Sequence, residues 1–541
     1  MTKLDEKFPL IKLFSFPESI YYIYDGRVNI FLRLNAREWK IILKYINLCV
    51  KSEEVFATES LSSSDLKFID SLNRQGILIC GPLAQRVNCS AENISDVLEQ
   101  SRTKAITRKL TIEVTTGCNL RCKYCPYTIN EILETGKKHG YSRINSEKAK
   151  LAILKYFQSY TSILEKVKCF ARDEINLFLD RNPPAIGFYG GEALLEYPLV
   201  KELVMYIESL PWERHGIPLE KIMINVTTNG TLLTKEIIEF CILHKIFLSI
   251  SFDGPPEEND KNRVFKNGHG SGKVVEKALD LIKDMSNDYL LHHVKIQAVM
   301  APEYNSADVY RYFEDRSCES HYAGVSLFSF LEYTDYQNQE KISPSTQNLN
   351  IIEYIKSIYN EEISIEELTG VINHNPWLKT WLKFVYEILV KVNDIPQINE
   401  NFFNSCFIGK AGLFVDTKGL YHLCERSDFS IPIGDIHSGK NEDTIARIYS
   451  EYFKVMDSKE CRNCWAAHFC TLCIAALIKE GHVVAPHNWQ CDNIRSSMEA
   501  QIKDLLCIKN FYPKILLCMD NMYAQTNDIT IDNFWGYINL D

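Results

Sequence analysis

Cys118-Asn119-Leu120-Arg121-Cys122-Lys123-Tyr124-Cys125 is the stretch on which the reading of this 541-residue chain turns. Three thiols within eight residues, spaced C-x3-C-x2-C with an aromatic before the last, follow directly on a β-type run at 109–115. Three thiolates on one short loop suit three irons of a [4Fe–4S] cube and leave the fourth iron open to a chelating small molecule. Zinc is the plainer occupant, but a structural zinc site takes a fourth nearby ligand, and the loop supplies none. The surroundings of the loop set the fold. β-type runs at 109–115, 186–189, 222–228, 247–252, 294–300 and 325–330 alternate with helical periodicity, as at 147–160, 198–210 and 235–243. Six βα repeats imply an α/β fold, a parallel sheet curled into a partial barrel. Functional groups then belong at the C-terminal ends of the strands.

Composition narrows the class. Hydrophobic residues make up 46% and charged residues 24%, which excludes a largely disordered or collagen-like chain. Lys and Arg number 60 against 70 Asp and Glu, and a net charge of -10 argues against a dedicated nucleic-acid binder. The longest apolar runs, such as 474–478, fall far short of the roughly 18 residues of a membrane span. The first eight residues carry Asp5 and Glu6 with no apolar run behind them, so no signal peptide is read and a cytoplasmic location is expected.

In that compartment the 18 cysteines are reduced, and spacing separates packing from ligation. Cys49, Cys80, Cys89, Cys169, Cys241, Cys318, Cys507 and Cys518 stand apart and read as small buried hydrophobes. Beyond the first trio, a second group begins at Cys406, with Gly419 and then Cys424 behind it. Cys461-x2-Cys464-x5-Cys470-x2-Cys473 follows, and Cys491 closes the group. On spacing alone the middle four also fit a zinc ribbon.

Taken with its neighbours, the first trio resembles the cluster loop of radical S-adenosylmethionine (SAM) enzymes. The resemblance implies a [4Fe–4S] cluster on Cys118, Cys122 and Cys125, SAM on its open iron, and a 5′-deoxyadenosyl radical that takes a substrate hydrogen. Tyr124 stands where that family contacts the adenine. Phe188-Tyr189-Gly190-Gly191-Glu192 resembles the segment that binds the SAM amino group, its glycines allowing close backbone approach and Glu192 offering an acceptor. Thr228-Asn229-Gly230 and Ser249-Ile250-Ser251-Phe252-Asp253-Gly254 match the family's SAM-contacting strand ends, with Asn229 and Ser249 as contacts and Arg263 as the carboxylate partner. Before that Arg the family often has His-Asp, and this chain has Asn259-Asp260.

The second cysteine group resembles the SPASM extension of the same enzymes, which binds two auxiliary [4Fe–4S] clusters. By that likeness Cys461, Cys464, Cys470 and Cys491 hold the distal cluster, and Cys406, Cys424 and Cys473 the nearer one. The family usually places three residues where Cys470 and Cys473 are two apart. No cysteine lies in 400–405 to complete the nearer set, so an open iron there is expected to take a substrate thiolate, which favours thioether formation. Glu425, next to Cys424, corresponds to a carboxylate that serves as a base in sulfatase-maturing relatives, and it also reads as a surface glutamate. Lys137-Lys138-His139 reads as a solvated loop.

Residues 1–82 read as a winged helix-turn-helix: β-rich stretches at 21–24 and 28–32 around Asp25-Gly26, a periodic segment at 36–50, N-cap serines at 62–64, a helix to about Arg74 and a short strand at 76–79. This unit resembles the leader-peptide recognition element of the pyrroloquinoline-quinone chaperone family, where a peptide adds a strand to the sheet edge. The matching features are Arg33-Leu34-Asn35, Trp39 and Asn73-Arg74-Gln75-Gly76. The expected layout continues with a linker at 83–105, the barrel at 106–335, a helical bridge at 336–400, the SPASM region at 401–500 and a tail at 501–541. The chain is thus expected to be a radical SAM peptide maturase of the sactipeptide type, forming Cys-to-carbon thioethers in a ribosomal precursor peptide. An external flavodoxin or ferredoxin would supply electrons. Carbon–carbon crosslinking or epimerisation is the alternative, with sulfatase-type maturation behind it; a zinc-bearing winged-helix binding protein is the reading from another class.

Overall fold

The computed structural model describes residues 9–50, 61–83, 89–103, 107–125, 127–128, 138–170, 175–299, 301, 304–318, 325–328, 351–393, 405–410, 412–427 and 429–534. Three antiparallel strands open the chain: β1 (Ile11–Phe16), β2 (Ile20–Asp25) and β3 (Ile30–Leu34), in the order β1-β2-β3. The helices Ala36–Val50 and Ser63–Arg74 follow, the second started by a reciprocal capping box between Ser62 and Asp65. One sheet face and these helices share a core of Ile23, Ile42, Ile69, Leu72 and Leu78.

Two details of this unit differ from expectation. β1 was not read from the sequence, because its polar positions blur the alternation. The segment 76–79, expected as a strand, is a turn instead. Leu78 adopts φ +61° and gives its N–H to Asp25 Oδ2 at 2.7 Å, so the backbone bonds to a side chain rather than to a ladder. The unit is also not separate. Phe14, Tyr22 and Tyr24 on the other sheet face join a core with the helical bridge and Phe469. At Gly26 a Cβ would stand 2.3 Å from the Trp465 carbonyl oxygen, so glycine permits that docking.

Six parallel strands form the partial barrel: β4 (Lys109–Thr115), β5 (Ala185–Gly190), β6 (Met223–Thr228), β7 (Phe247–Ser251), β8 (Val294–Val299) and β9 (Val325–Phe328). The expected strands at 109–115 and the five that follow all appear, within a residue or so at each described end. Strand alternation sorts the two faces. Leu110, Ile112 and Val114 pack into the helical layer with Ile153, Phe157 and Trp212, whose rings meet edge to face at 4.7 Å between Phe157 and Trp212. Lys109, Thr111 and Glu113 therefore face the interior.

The sheet does not end at β4. A hairpin of β10 (Leu413–Val415) and β11 (Tyr421–His422) continues it, β10 running parallel to β4 with Leu413 opposite Leu110, so eight strands run β11-β10-β4-β5-β6-β7-β8-β9. The cysteine-rich region is thus built onto the barrel's first strand. Residues 351–393 form three helices, Ile351–Ile358, Ile365–His374 and Pro376–Asn393. The expected tail is not one: helices Asn488–Phe511 and Pro513–Phe534 bury Ile502, Leu505, Ile515, Cys518 and Met519 against that bridge. Their apolar residues recur at helical spacing, and Pro513 stands at the first position of the second helix, where its missing N–H costs nothing. Among the described residues no helix is long and apolar enough to cross a membrane.

Candidate active site at the two ends of the barrel

At the C-terminal end of β4 the chain turns into the cysteine loop, and neighbouring strand ends hold it there. Gly191 N donates to Thr115 O (2.9 Å) and Glu192 N to Gly117 O (2.7 Å). A Cβ at Gly191 would stand 2.2 Å from Gly117 O, and one at Gly190, whose φ is +152°, 2.1 Å from Thr115 O. These glycines were expected to admit a ligand. They also admit the backbone at the root of the loop.

Glu192 follows them in the same turn. It is 1% exposed, and its carboxylate accepts from Thr228 Oγ1 (2.7 Å), Leu194 N (3.0 Å) and Asn229 N (2.6 Å). It locks the Gly-Gly turn to the Thr228-Asn229-Gly230 turn. Asn229 in turn reaches the loop, giving Nδ2 to Asn119 Oδ1 at 2.8 Å and approaching Cys118 Sγ at 3.9 Å. Ser249 accepts from Asn225 Nδ2 at 2.9 Å on the inner barrel face.

Arg263, placed between a ligand role and a surface ion pair, is in a buried ion pair. Its Nε lies 3.0 Å from Asp253 Oδ2, its guanidinium 5.4 Å from the Tyr124 ring centroid and its Nη1 3.9 Å from Cys122 Sγ. Asp253, fully buried, also takes the Tyr124 hydroxyl, the Tyr304 hydroxyl (2.9 Å) and Val299 N (2.9 Å). Tyr124 is therefore held by its hydroxyl, with Arg263 near one ring face.

The three thiols of the loop lie close enough to repel one another as anions. Burial, the largest influence, pushes Cys118 up to about 11 and Cys122 up to about 12, with the neighbouring sulfurs adding to it. Without a cation these are neutral thiols; iron supplies the positive charge that makes them thiolates. The Asn229 amide and Arg263 guanidinium then face the sulfurs as donors, so the residues present fit a cluster. Among the described residues no three His, Cys, Asp or Glu side chains are drawn together tightly enough to hold a single metal ion.

The second cysteine group lies in two sets. Cys491 is pushed up to about 11 by burial, with Cys461, Cys470 and Cys464 adding to the rise and Arg495 opposing it. Cys424 is pushed up to about 12 by burial, then by Glu425 and Cys473; Cys406 is raised by burial and then by Cys473. Cys461, Cys464 and Cys470 thus act on Cys491, and Cys473 acts on both Cys406 and Cys424. Beside Cys406 stands Arg108, whose buried Nε and Nη2 have no hydrogen-bond partner among the described residues. An unsatisfied guanidinium against a thiol set suits an anionic cluster there. Glu425 is half-buried, and its charge acts on Lys109 and Tyr189.

Since Arg108 immediately precedes β4 and Cys118 follows it, the two sulfur groups occupy opposite ends of one strand. The six steps from Lys109 to Thr115 span about 20 Å. Sequence reading missed several groups in this frame. Asp253 lay inside a quoted motif without a role. Glu113, fully buried, accepts from Tyr127 Oη (2.7 Å) and Thr417 N (3.2 Å), tying β4 to the turn of the added hairpin. His139, expected in a solvated loop, is half-buried with Nε2 4.0 Å from Cys125 Sγ; Lys137 lies outside the described residues.

The chain is similar to known proteins in both sequence and structure. Residues 112–315 match the Radical SAM superfamily. The chain is 24% identical over 249 residues to the cysteine-type anaerobic sulfatase-maturating enzyme of Clostridium perfringens, an alignment covering 45% of this chain and 57% of that one. It therefore spans little more than half the length of that relative. It is 21% identical over 397 residues to the radical SAM cyclopropyl synthase TigE of Paramaledivibacter caminithermalis, covering 71% of this chain and 72% of that enzyme. Among solved structures, SuiB of Streptococcus suis aligns at a TM-score of 0.43 and 13% identity over 87% of this chain and 99% of its own.

Proposed function

Starting from a radical SAM enzyme domain over residues 112–315, we propose that this chain is a peptide maturase that joins a cysteine sulfur to a carbon of a ribosomal precursor peptide. The observation that carries the reading is the placement of two sulfur groups at opposite ends of β4 with a polar barrel interior between them. Cys118, Cys122 and Cys125 would hold the cluster that binds SAM. Cys406, Cys424 and Cys473 would hold the nearer auxiliary cluster, and Cys461, Cys464, Cys470 and Cys491 the distal one. The first cluster with SAM supplies, when bound, the radical that removes a substrate hydrogen.

The chain's own residues position and insulate. Asp253 fixes Tyr124 and Arg263 beside the cysteine loop, and Glu192 fixes the two turns that border it. Glu425, whose charge acts on Lys109 and Tyr189, would take the proton of the substrate thiol. Among the described residues β3 pairs only with β2, and its half-buried Ile30, Phe31 and Leu32 leave an edge on which a leader peptide adds a strand. Linking sulfur to carbon removes two hydrogens from the peptide: one atom to the radical, and the other as a proton to Glu425 and an electron to the auxiliary cluster that Cys406, Cys424 and Cys473 would hold.

The test is incubation of the reconstituted enzyme, SAM and dithionite with a panel of cysteine-containing candidate precursor peptides. Loss of two hydrogens together with one alkylatable thiol is expected. The cyclopropyl synthase relative favours a second reading, carbon–carbon bond formation. That product loses the same mass and keeps every thiol.

A further inference from the structure

We propose that the distal cysteine set and the N-terminal sheet are coupled. Ligation of Cys461, Cys464, Cys470 and Cys491 to one metal centre fixes the surface on which that sheet docks, and so sets the peptide-binding edge in place. The inference deepens the maturase reading and rests on it for the cluster and the peptide.

The docking surface lies between the ligands themselves. Arg462 stands between Cys461 and Cys464, and Trp465-Ala466-Ala467-His468-Phe469 fills the interval from Cys464 to Cys470. The N-terminal unit meets this short stretch repeatedly. Leu83 N donates to Arg462 O at 2.9 Å. Gly26 lies so close to Trp465 O that a Cβ would stand 2.3 Å from it. The Trp465 ring is edge-on to Tyr24 at 6.2 Å and lies 5.7 Å from Lys12 Nζ. Phe469 and Tyr24, both fully buried, pack with ring centroids 5.1 Å apart, and Ala467 closes a small core with Leu10 and Leu83.

Little regular structure holds the stretch in shape: a short helix at Lys459–Arg462 and a 3-10 turn at Ala467–Phe469. Unpinned, it gives up backbone freedom to present these groups. Binding of Cys461, Cys464 and Cys470 to one centre pins both ends, and metal binding then bears the cost of ordering. The residues present fit such a centre. Cys461, Cys464 and Cys470 act on Cys491, and Arg495, held by Asp492 at 2.7 Å, brings a cation to Cys464. Loading and docking order the same residues, so each favours the other by one shared factor, typically about five- to 150-fold.

Other contacts of the sheet reach helices rather than this stretch. Tyr22 Oη donates to Asn510 Oδ1 at 3.1 Å, Asn29 Nδ2 to Lys391 O at 2.7 Å, and Lys12 Nζ lies 2.5 Å from Glu499. Loss of the metal therefore loosens the sheet without releasing it. The edge proposed for the leader follows, because β3 pairs with β2, which carries Tyr22 and Tyr24.

Two variants of the reconstituted full chain read the coupling from opposite sides, without turnover. Gly26→Ala leaves every cysteine in place. Gly26 is outside the left-handed region, so the new methyl meets only its neighbours, Trp465 O at 2.3 Å and, within its own unit, Leu10 O at 3.1 Å. About a third of the iron, the distal four of about twelve, should then pass to a ferrous chelator at least about five-fold faster than from the parent chain. Cys491→Ala removes a ligand carried by the helix Asn488–Phe511, outside the docking stretch. It should lower bound iron by about four per chain and speed amide exchange over Ile20–Asp25 at least about five-fold, with exchange over Val294–Val299 unchanged. The Cys491→Ala arm carries the test if Gly26→Ala fails to fold. Iron release and exchange at the parent rates overturn the coupling and leave the maturase reading standing. Faster exchange over Val294–Val299 as well marks general loosening and also overturns it. Undiminished iron in Cys491→Ala shows that the distal set holds no cluster, and overturns both the coupling and that part of the maturase reading.

Discussion

Replacing Asp253 with Asn removes a buried charge that organises the wall beside the cysteine loop. The carboxylate takes two tyrosine hydroxyls and the Val299 N–H, and it faces the Arg263 guanidinium at 3.0 Å, with both side chains nine-tenths or more buried. Removing one partner of a buried pair leaves the other charge uncompensated and costs about 3–5 kcal/mol. Replacing both with uncharged groups costs far less, since the desolvation of both ions is recovered. Asp253→Asn and Arg263→Met are therefore each expected to loosen the barrel strongly, and the double variant to lose much less than their sum. Amide hydrogen exchange over Val294–Val299, read by mass spectrometry, follows the strand whose Val299 N–H Asp253 accepts. Exchange from that segment should speed up by roughly two to three orders of magnitude in each single variant. If the two losses simply add, the ion pair does not organise this wall and the account of Tyr124 and Arg263 fails.

Cys122→Ala should abolish 5′-deoxyadenosine formation, whereas Cys406→Ala should preserve it and block peptide crosslinking; retained crosslinking would count against the role given to the nearer set. Gly191→Ala places a methyl 2.2 Å from Gly117 O, so the two backbones must part, and iron bound by the cysteine loop should fall on reconstitution. Asp504 is raised to about 6 by burial, although Trp381 Nε1 donates to it at 2.8 Å. The folded form thus holds its proton more tightly than the unfolded chain. Docking of the C-terminal helices should be firmest below about pH 4, weaken as pH rises to about 6, and stay level above. Asp504→Asn should remove this dependence and gain roughly 2–3 kcal/mol at pH 7 in urea unfolding.

The barrel strands were legible because each carries its own signal: alternation in 109–115 and β-branched runs elsewhere, separated by long helical stretches. Three other elements were not. β10 is three residues long, and its place beside β4 comes from pairing across some three hundred residues, which no local pattern encodes. The turn at 76–79 has the apolar composition of a strand but spends its backbone on the Asp25 carboxylate. The C-terminal helices read as a tail because their apolar face has meaning only against a bridge far away in sequence.

The site divides in the same way. The cysteine positions stood out by spacing, but their sorting into sets of four and three came from the family likeness. Glu192 shows the boundary well. Sequence marks a carboxylate at the right strand end, and only the approach of β6 determines that its oxygens are taken by Thr228 and Asn229.

The central claim is tested most directly by anaerobic reconstitution, with iron, sulfide and zinc counted and 5′-deoxyadenosine assayed after SAM and dithionite are added. The account predicts about twelve irons per chain, as three four-iron clusters, and formation of deoxyadenosine. Bound zinc in place of iron, with no deoxyadenosine formed, would contradict it.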